Sequence, residues 1–150
     1  GGIRVPMIAV WEGKTEAGTE TDHPSAFWDV FPTIAEITGA KIPENTDGIS
    51  FLPTLLGNEN EQEKHEYLYW EFHERGGRQA VRKGDWKLLR YNVLDPEKTT
   101  TELYNLKNDL GEKINVAEQH PEIVEELSEI MKNARTESEV FTFKSKGYLQ

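Results

Sequence analysis

The residues best suited to chemistry gather in one short stretch. Between Tyr69 and Arg78, the side chains of Glu71, His73, Arg75 and Arg78 lie among aromatic residues. Side chains alternate between faces in an extended strand, so Tyr69, Glu71 and His73 share one face. A planar guanidinium matches the oxygens of a sulfate or carboxylate, and an imidazole and a carboxylate can hold sugar hydroxyls. The stretch therefore reads as a candidate seat for an anion or a hydroxyl-rich ligand, although a plain solvated face carries the same residue types. His23 before Pro24 stands where a loop enters a helix, a place that also favours anions; capping geometry accounts for it equally well. His65, in a charged loop, reads as solvent-exposed, and His120 before Pro121 as a helix start. No glycine-rich phosphate loop, His-x-x-x-His pair or Gly-x-Ser-x-Gly elbow occurs. Without Cys there can be no disulfide, thiolate metal site or Cys nucleophile in these residues. Nothing assembles a nucleophile, a base and a charge stabiliser.

The elements that must position these groups are written in the hydrophobic pattern. With 150 residues, 36% hydrophobic and 29% charged, the chain has a soluble composition and length for a real core. Its net charge of -10 disfavours nucleic acid and anionic membranes as partners. Against that background, Arg75, Arg78, Arg82, Lys83, Lys87 and Arg90 face only Asp85, a local basic stretch able to attract a small anion.

Val5 to Trp11 is a near-continuous apolar run, the pattern of a strand buried on both faces, predicted over 5–11. Apolar positions at three- and four-residue spacing predict a helix over about 26–38, capped by Ser25 or Asp29 and closed by Gly39. After the Asp47-Gly48 turn, Ser50 caps a short helix, 51–56, closed by Gly57, and residues 57–66 form a polar surface loop. From Tyr67 the chain changes period. Leu68, Trp70 and Phe72 alternate with Tyr69, Glu71 and His73, the pattern of a half-buried strand. Residues 79–83 and 86–91 flank Gly84-Asp85 as a hairpin with Trp86 and Leu88 inward, and 102–106 is a further short strand. Ile123, Val124, Leu127, Ile130 and Met131 make one apolar stripe on a helix over about 121–135. The tail from Thr136 is weakly patterned. The fold class is α+β: a small antiparallel sheet of about four strands packed by a C-terminal helix, preceded by one strand and two helices.

Three stretches resemble landmarks of the sulfatase family. Gly1-Gly2-Ile3-Arg4-Val5-Pro6 running into Val10-Trp11-Glu12-Gly13 resembles its Gly-Gly-(Ile/Val)-Arg-x-Pro strand with a Trp-Pro-Gly ending, Glu12 standing for the usual Pro. Asp29-Val30-Phe31-Pro32-Thr33, with Asp47-Gly48-Ile49-Ser50, resembles its Asp-(Leu/Val)-x-Pro-Thr helix and the turn after it. Trp86-Lys87-Leu88, then Leu103-Tyr104-Asn105-Leu106 and Glu112-x-x-Asn115-Val116-Ala117, resembles its C-terminal hairpin, strand and loop. The order and separations match over nearly the whole chain.

The resemblance implies that residues 1–60 end the large α/β sheet of a catalytic domain and that 61–150 form a C-terminal subdomain. It implies an enzyme that hydrolyses sulfate esters, of the kind borne by sulfated carbohydrates in bacterial relatives. Formylglycine, made in a Cys/Ser-x-Pro-x-Arg motif, and calcium are implied for the parent protein. That motif does not occur here, so the chain alone is expected to be inactive and to hold no metal. Implied substrate contacts are His73, Glu71 and Arg75, with His23. The implied partners are the N-terminal catalytic domain and a sulfated saccharide, or a second copy paired through the N-terminal strand. A periplasmic or secreted location in a bacterium follows from the same resemblance. Two other readings compete: a non-catalytic module holding sulfated glycans through 75–90, and part of a related phosphoesterase or phosphotransferase.

Overall fold

A computed structural model describes residues 2–140, which divide into two compact units, Gly2–His65 and the residues from Glu66 onward. The second unit is a four-stranded antiparallel sheet in the order β1 (Leu68–Phe72), β2 (Arg78–Lys83), β3 (Trp86–Tyr91) and β4 (Thr100–Asn105). A single helix, α3 (Pro121–Asn133), packs on it. β2 and β3 join through a two-residue turn at Gly84, whose φ of +56° is one that a side chain rarely tolerates.

Register follows from the core. Val81 pairs with Leu88 and Leu88 with Leu103, so three apolar residues form a row across the sheet. That row meets Leu127 and Met131 of α3, and all five are at most 1% exposed. Tyr67 and Tyr69 flank the cluster on the same side. The face of β1 that meets α3 is therefore the Tyr69 face, not the one bearing Leu68, Trp70 and Phe72. Phe72 is 47% exposed, although Leu68 at the start of the strand is buried. Each tyrosine presents an apolar ring to the core and a hydroxyl to its edge, so both faces of β1 carry apolar surface and alternation alone does not choose between them.

The loop after β4 repays its sequence. Asn115 Oδ1 accepts the amides of Leu103 and Ala117, both at 3.0 Å, and the Val116 amide donates to Leu103 O at 2.9 Å. These bonds occupy the open edge of β4. From the same loop Glu112 meets Lys87 at 2.7 Å, with the lysine side chain 4% and the glutamate side chain 11% exposed.

The first unit holds α1 (Val30–Thr38), which follows a single 3-10 turn at Phe27–Asp29, and the short α2 (Leu52–Leu55). α1 ends as expected at Gly39, φ +70°, with the Ala40 amide on Ala35 O at 2.9 Å. Its start differs: the Asp29 carboxylate makes no cap to α1 but turns to Ala26, Ile49 and His65. The inward residues of α1 are Pro32, Thr33 and Ala35, while Phe31 and Ile34 are each 53% exposed. The strand expected over 5–11 is not formed. A ladder needs a neighbouring strand, the first unit contains none, and Val5, Ile8 and Val10 lie largely exposed.

The Lys87–Glu112 pair makes a testable demand. Burial alone would raise the Glu112 carboxyl, but hydrogen bonds and charge from neighbouring cationic groups, Lys87 first among them, together outweigh it and hold the group below the usual carboxylate range. A depressed carboxyl contributes stability above its ordinary range and loses it as pH falls through the folded value. Glu112→Gln, which leaves a buried ammonium without its counter-charge, should cost roughly 3–5 kcal/mol. Urea unfolding should show this loss at neutral pH and a smaller difference from the parent chain at acid pH.

Candidate functional site

The candidate residues of the second unit sit where β1 turns into β2. Arg75, Gly76 and Gly77 adopt φ of 54°, 84° and 77°, three consecutive left-handed residues that reverse the chain tightly. For Arg75 this conformation is strained; the glycines accept it freely. The loop is clamped to the one after β3: the Val93 amide donates to Gly77 O at 3.3 Å and the Leu94 amide to Gly76 O at 3.1 Å. A Cβ on Gly76 would lie 2.7 Å from Asn92 Oδ1, so the two loops approach as closely as backbone allows. Arg75 is exposed at the apex of this clamped turn.

Glu71 and His73 are together, as expected, with His73 Nε2 3.5 Å from Glu71 Oε2. Two further groups hold the carboxylate. Tyr69 donates its hydroxyl to Glu71 Oε1 at 2.9 Å, and Arg135, beyond the end of α3, forms an ion pair with the same oxygen at 3.0 Å. Gln79 Nε2 in turn donates to the Tyr69 hydroxyl at 2.7 Å. Burial, reinforced by Glu71, raises the Tyr69 phenol well above its ordinary range, so it remains a donor. Arg135 was absent from the sequence reading. It lies 64 positions from Glu71 and only the packing of α3 on the sheet brings it there.

The basic stretch does not form one surface. Strand parity sends Arg78, Arg82 and Lys87 to one face and Lys83 and Arg90 to the other. Lys87 is buried against Glu112, Lys83 pairs with Glu126 at 2.8 Å, and Arg78 lies 5.3 Å over the Tyr91 ring. A single anion-binding patch along 75–90 is not present.

His23 belongs to the first unit, which has its own polar cluster. Asp29, 1% exposed, accepts the Ala26 amide at 2.6 Å, the Ile49 amide at 2.9 Å and His65 Nε2 at 2.8 Å. Four residues on, Thr33 Oγ1 accepts the Phe51 amide at 3.0 Å. Gly48 permits this approach, since a Cβ there would strike the Trp28 carbonyl and the Pro32 ring. His65 is thus a buried partner of Asp29, with 10% of its side chain exposed, rather than the solvated residue expected. The 57–66 loop is likewise less free than its polarity implied: Gln62 is 8% exposed, and its amide bonds Ser50 O, Glu63 O and Thr54. Among the described residues no group of three or more His, Asp or Glu is arranged to hold a metal ion. No helix among them is long and apolar enough to cross a membrane.

His23 provides a pH test. Burial lowers its imidazole below the ordinary range, against the opposing pull of Asp29. A histidine depressed by folding contributes stability above its ordinary value of about 6.5 and loses it as pH falls below that. The protection factor of the Ile49 amide against hydrogen exchange, taken relative to the intrinsic rate at each pH, should therefore fall on acidification from pH 7, and His23→Gln should flatten that dependence. Equal dependence in both proteins would show that His23 is not the group responsible.

The comparisons with known proteins include a family model, curated relatives and solved structures. A family model described as N-sulphoglucosamine sulphohydrolase, C-terminal, matches residues 1–137. The chain is 31% identical over 147 residues to an N-acetylgalactosamine-6-O-sulfatase of Bacteroides thetaiotaomicron, covering 90% of this chain and 28% of that protein. It is 42% identical over 71 residues to the steryl-sulfatase of Rattus norvegicus, covering 46% of this chain and 12% of that one. Among solved structures, a 2-O GAG sulfatase superimposes with a TM-score of 0.60 at 28% identity, covering 71% of this chain and 23% of the other. The chain thus spans less than a third of the length of these relatives.

Proposed function

The chain belongs to the sulfatase family, matching its C-terminal part, and from that membership we propose that it completes an enzyme hydrolysing the sulfate esters of a sulfated carbohydrate. The observation that carries this reading is the family match over residues 1–137. The relatives include a 6-O-sulfatase named for N-acetylgalactosamine and a 2-O GAG sulfatase, which favours a sugar over a simple aryl ester.

In this reading the second unit supplies a wall of the substrate pocket. His73 and Arg75 touch the saccharide, and Glu71 holds His73 while bound itself by Tyr69 and Arg135. The clamp between loops 75–77 and 92–94 supports such a role, because groups held in place before binding lose less conformational freedom when a ligand arrives. His23 serves as a contact only through the first unit.

Formylglycine and calcium are implied for the family, and the residues here do not fit them. There is no Cys and no Cys/Ser-x-Pro-x-Arg motif, and the described residues offer no metal-ligand group. Activating a nucleophile for attack at sulfur falls to a preceding catalytic part, which would also cover the exposed apolar run at Val5, Met7, Ile8 and Val10. That part is the proposed partner, ahead of a second copy of this chain. A periplasmic or secreted setting, where polymeric glycans are met, fits the same reading.

Two measurements test it. The purified 150-residue chain should show no turnover of an aryl sulfate; measurable hydrolysis would place the chemistry in this chain after all. In the full-length protein, His73→Ala should raise KM for a sulfated saccharide about tenfold, the loss of one charge-assisted hydrogen bond, with kcat little changed. An unchanged KM would remove His73 from the pocket wall.

A further inference from the structure

We infer that the cleft between the sheet and the end of α3 is a second binding site, taking an anionic group of an acidic saccharide on Arg90. The inference rests on the glycan-sulfatase reading and concerns residues outside the His73–Arg75 loop. The cleft encloses about 420 Å³ and is lined by Gln79, Arg90, Thr99, Met131, Lys132 and Arg135, with Val93 and Glu137 at its margins. A volume of this size takes a monosaccharide unit or somewhat more.

Its charge is opposite to that of the chain. Three cations line it against one carboxylate, in a protein of net charge -10. Arg135 is neutralised by Glu71 at 3.0 Å and Glu137 at 2.9 Å, and Lys132 leans on Glu129 at 3.4 Å. Arg90 differs. Its guanidinium donates to neutral Ser128 Oγ at 2.9 Å, and no carboxylate among the described residues comes within ion-pair distance of it. A planar fork with one neutral bond has donors left for the two oxygens of a carboxylate or sulfate. Lys132, 74% exposed, adds a mobile charge at the rim.

The floor suits a sugar as well as an anion. Val93 presents apolar surface, the counterpart of the C–H face of a pyranose ring, and Met131, 1% exposed, lies directly beneath the cleft as part of the core. Gln79 donates one amide hydrogen to Tyr69, and its carbonyl oxygen remains to accept from a ring hydroxyl. Arg90 is two residues along β3 from Leu88, so the core row itself fixes where the fork stands.

The experiment is an NMR titration of the isotope-labelled chain, reading the Arg90 side-chain N–H and the Met131 methyl. The probes are a sulfated disaccharide, its unsulfated counterpart, glucuronate and inorganic sulfate. Saturable shifts at both reporters with the sulfated disaccharide, weaker with its unsulfated counterpart, are expected. Comparable shifts with glucuronate would assign the site to acidic sugars at large; none would assign it to sulfated ones. Arg90→Gln should weaken binding about tenfold, Arg90→Lys less, and Arg75→Gln should leave the cleft shifts unchanged. Shifts that do not saturate, Arg90→Gln binding like the parent, or inorganic sulfate binding as well as the disaccharide (an adventitious ion only) would each overturn the inference. The His73→Ala test in the full-length protein is independent of all of these, so either reading can fall while the other stands.

Discussion

The second unit depends on one row of side chains, Val81, Leu88 and Leu103, sealed beneath Leu127 and Met131. Each fully buried aliphatic side chain is worth roughly 1.5–3 kcal/mol, so the row outweighs any single polar contact in the unit. Because strand side chains repeat every two residues, a slip of one position would turn all three outward. The same arithmetic fixes their neighbours. Two residues along each strand, on the same face, stand Glu71, Gln79, Arg90 and Thr101 in a second row. An apolar row chosen for packing thereby sets the spacing of a polar row available for recognition, and α3, ending beside it, adds Lys132 and Arg135.

The first unit is held together differently. Its buried polar residues, Asp29, Thr33 and Gln62, bind backbone amides and carbonyls of loops far away in sequence, and each is satisfied. A buried carboxylate with three donors is stable where a bare one would not be. Meanwhile Phe27 is 90% exposed and Phe31 and Ile34 are half exposed. Polar residues join Ala35 and Phe51 inside while Phe27 and Phe31 stand outside, a partial inversion of the usual arrangement. The inversion makes physical sense if those apolar surfaces belong to an interface with the proposed catalytic part, while the polar ties keep the loops in shape on their own.

Much of this was legible in the sequence. The β2–β3 hairpin, the α3 stripe and the glycine that ends α1 were read from local rules, since period, turn chemistry and capping act over a few residues. What escaped depends on distance. His65 finds Asp29 36 positions away, and Arg135 finds Glu71 64 positions away; no local pattern marks either pair. Which face of β1 meets α3 was not legible, because its tyrosines are amphipathic. The run 5–11 has the composition of a strand without a partner strand in the first unit, and composition cannot make a ladder by itself. Of the nominated residues, Glu71 and His73 do meet and Arg75 stands at the adjoining turn, whereas His23 answers to the first unit.

The state of Glu71 bears on how the proposed wall would work. A carboxylate already bound by Tyr69 and Arg135, with His73 close by, has little capacity left for sugar hydroxyls, and releasing it would cost Arg135 one of its ion pairs. Its more natural office is orientation: in the proposed wall it would help to set the imidazole of His73, whose Nε2 lies 3.5 Å from it. Arg75 is fixed by another means, a left-handed turn locked to the neighbouring loop through backbone bonds. The His73 ring is thus set beside the Glu71 carboxylate and the Arg75 backbone by its turn, while the Arg75 side chain itself is exposed. A saccharide binding at the proposed wall would meet a backbone turn already formed, so the ordering left to binding would fall on the Arg75 side chain and not on the loop that carries it.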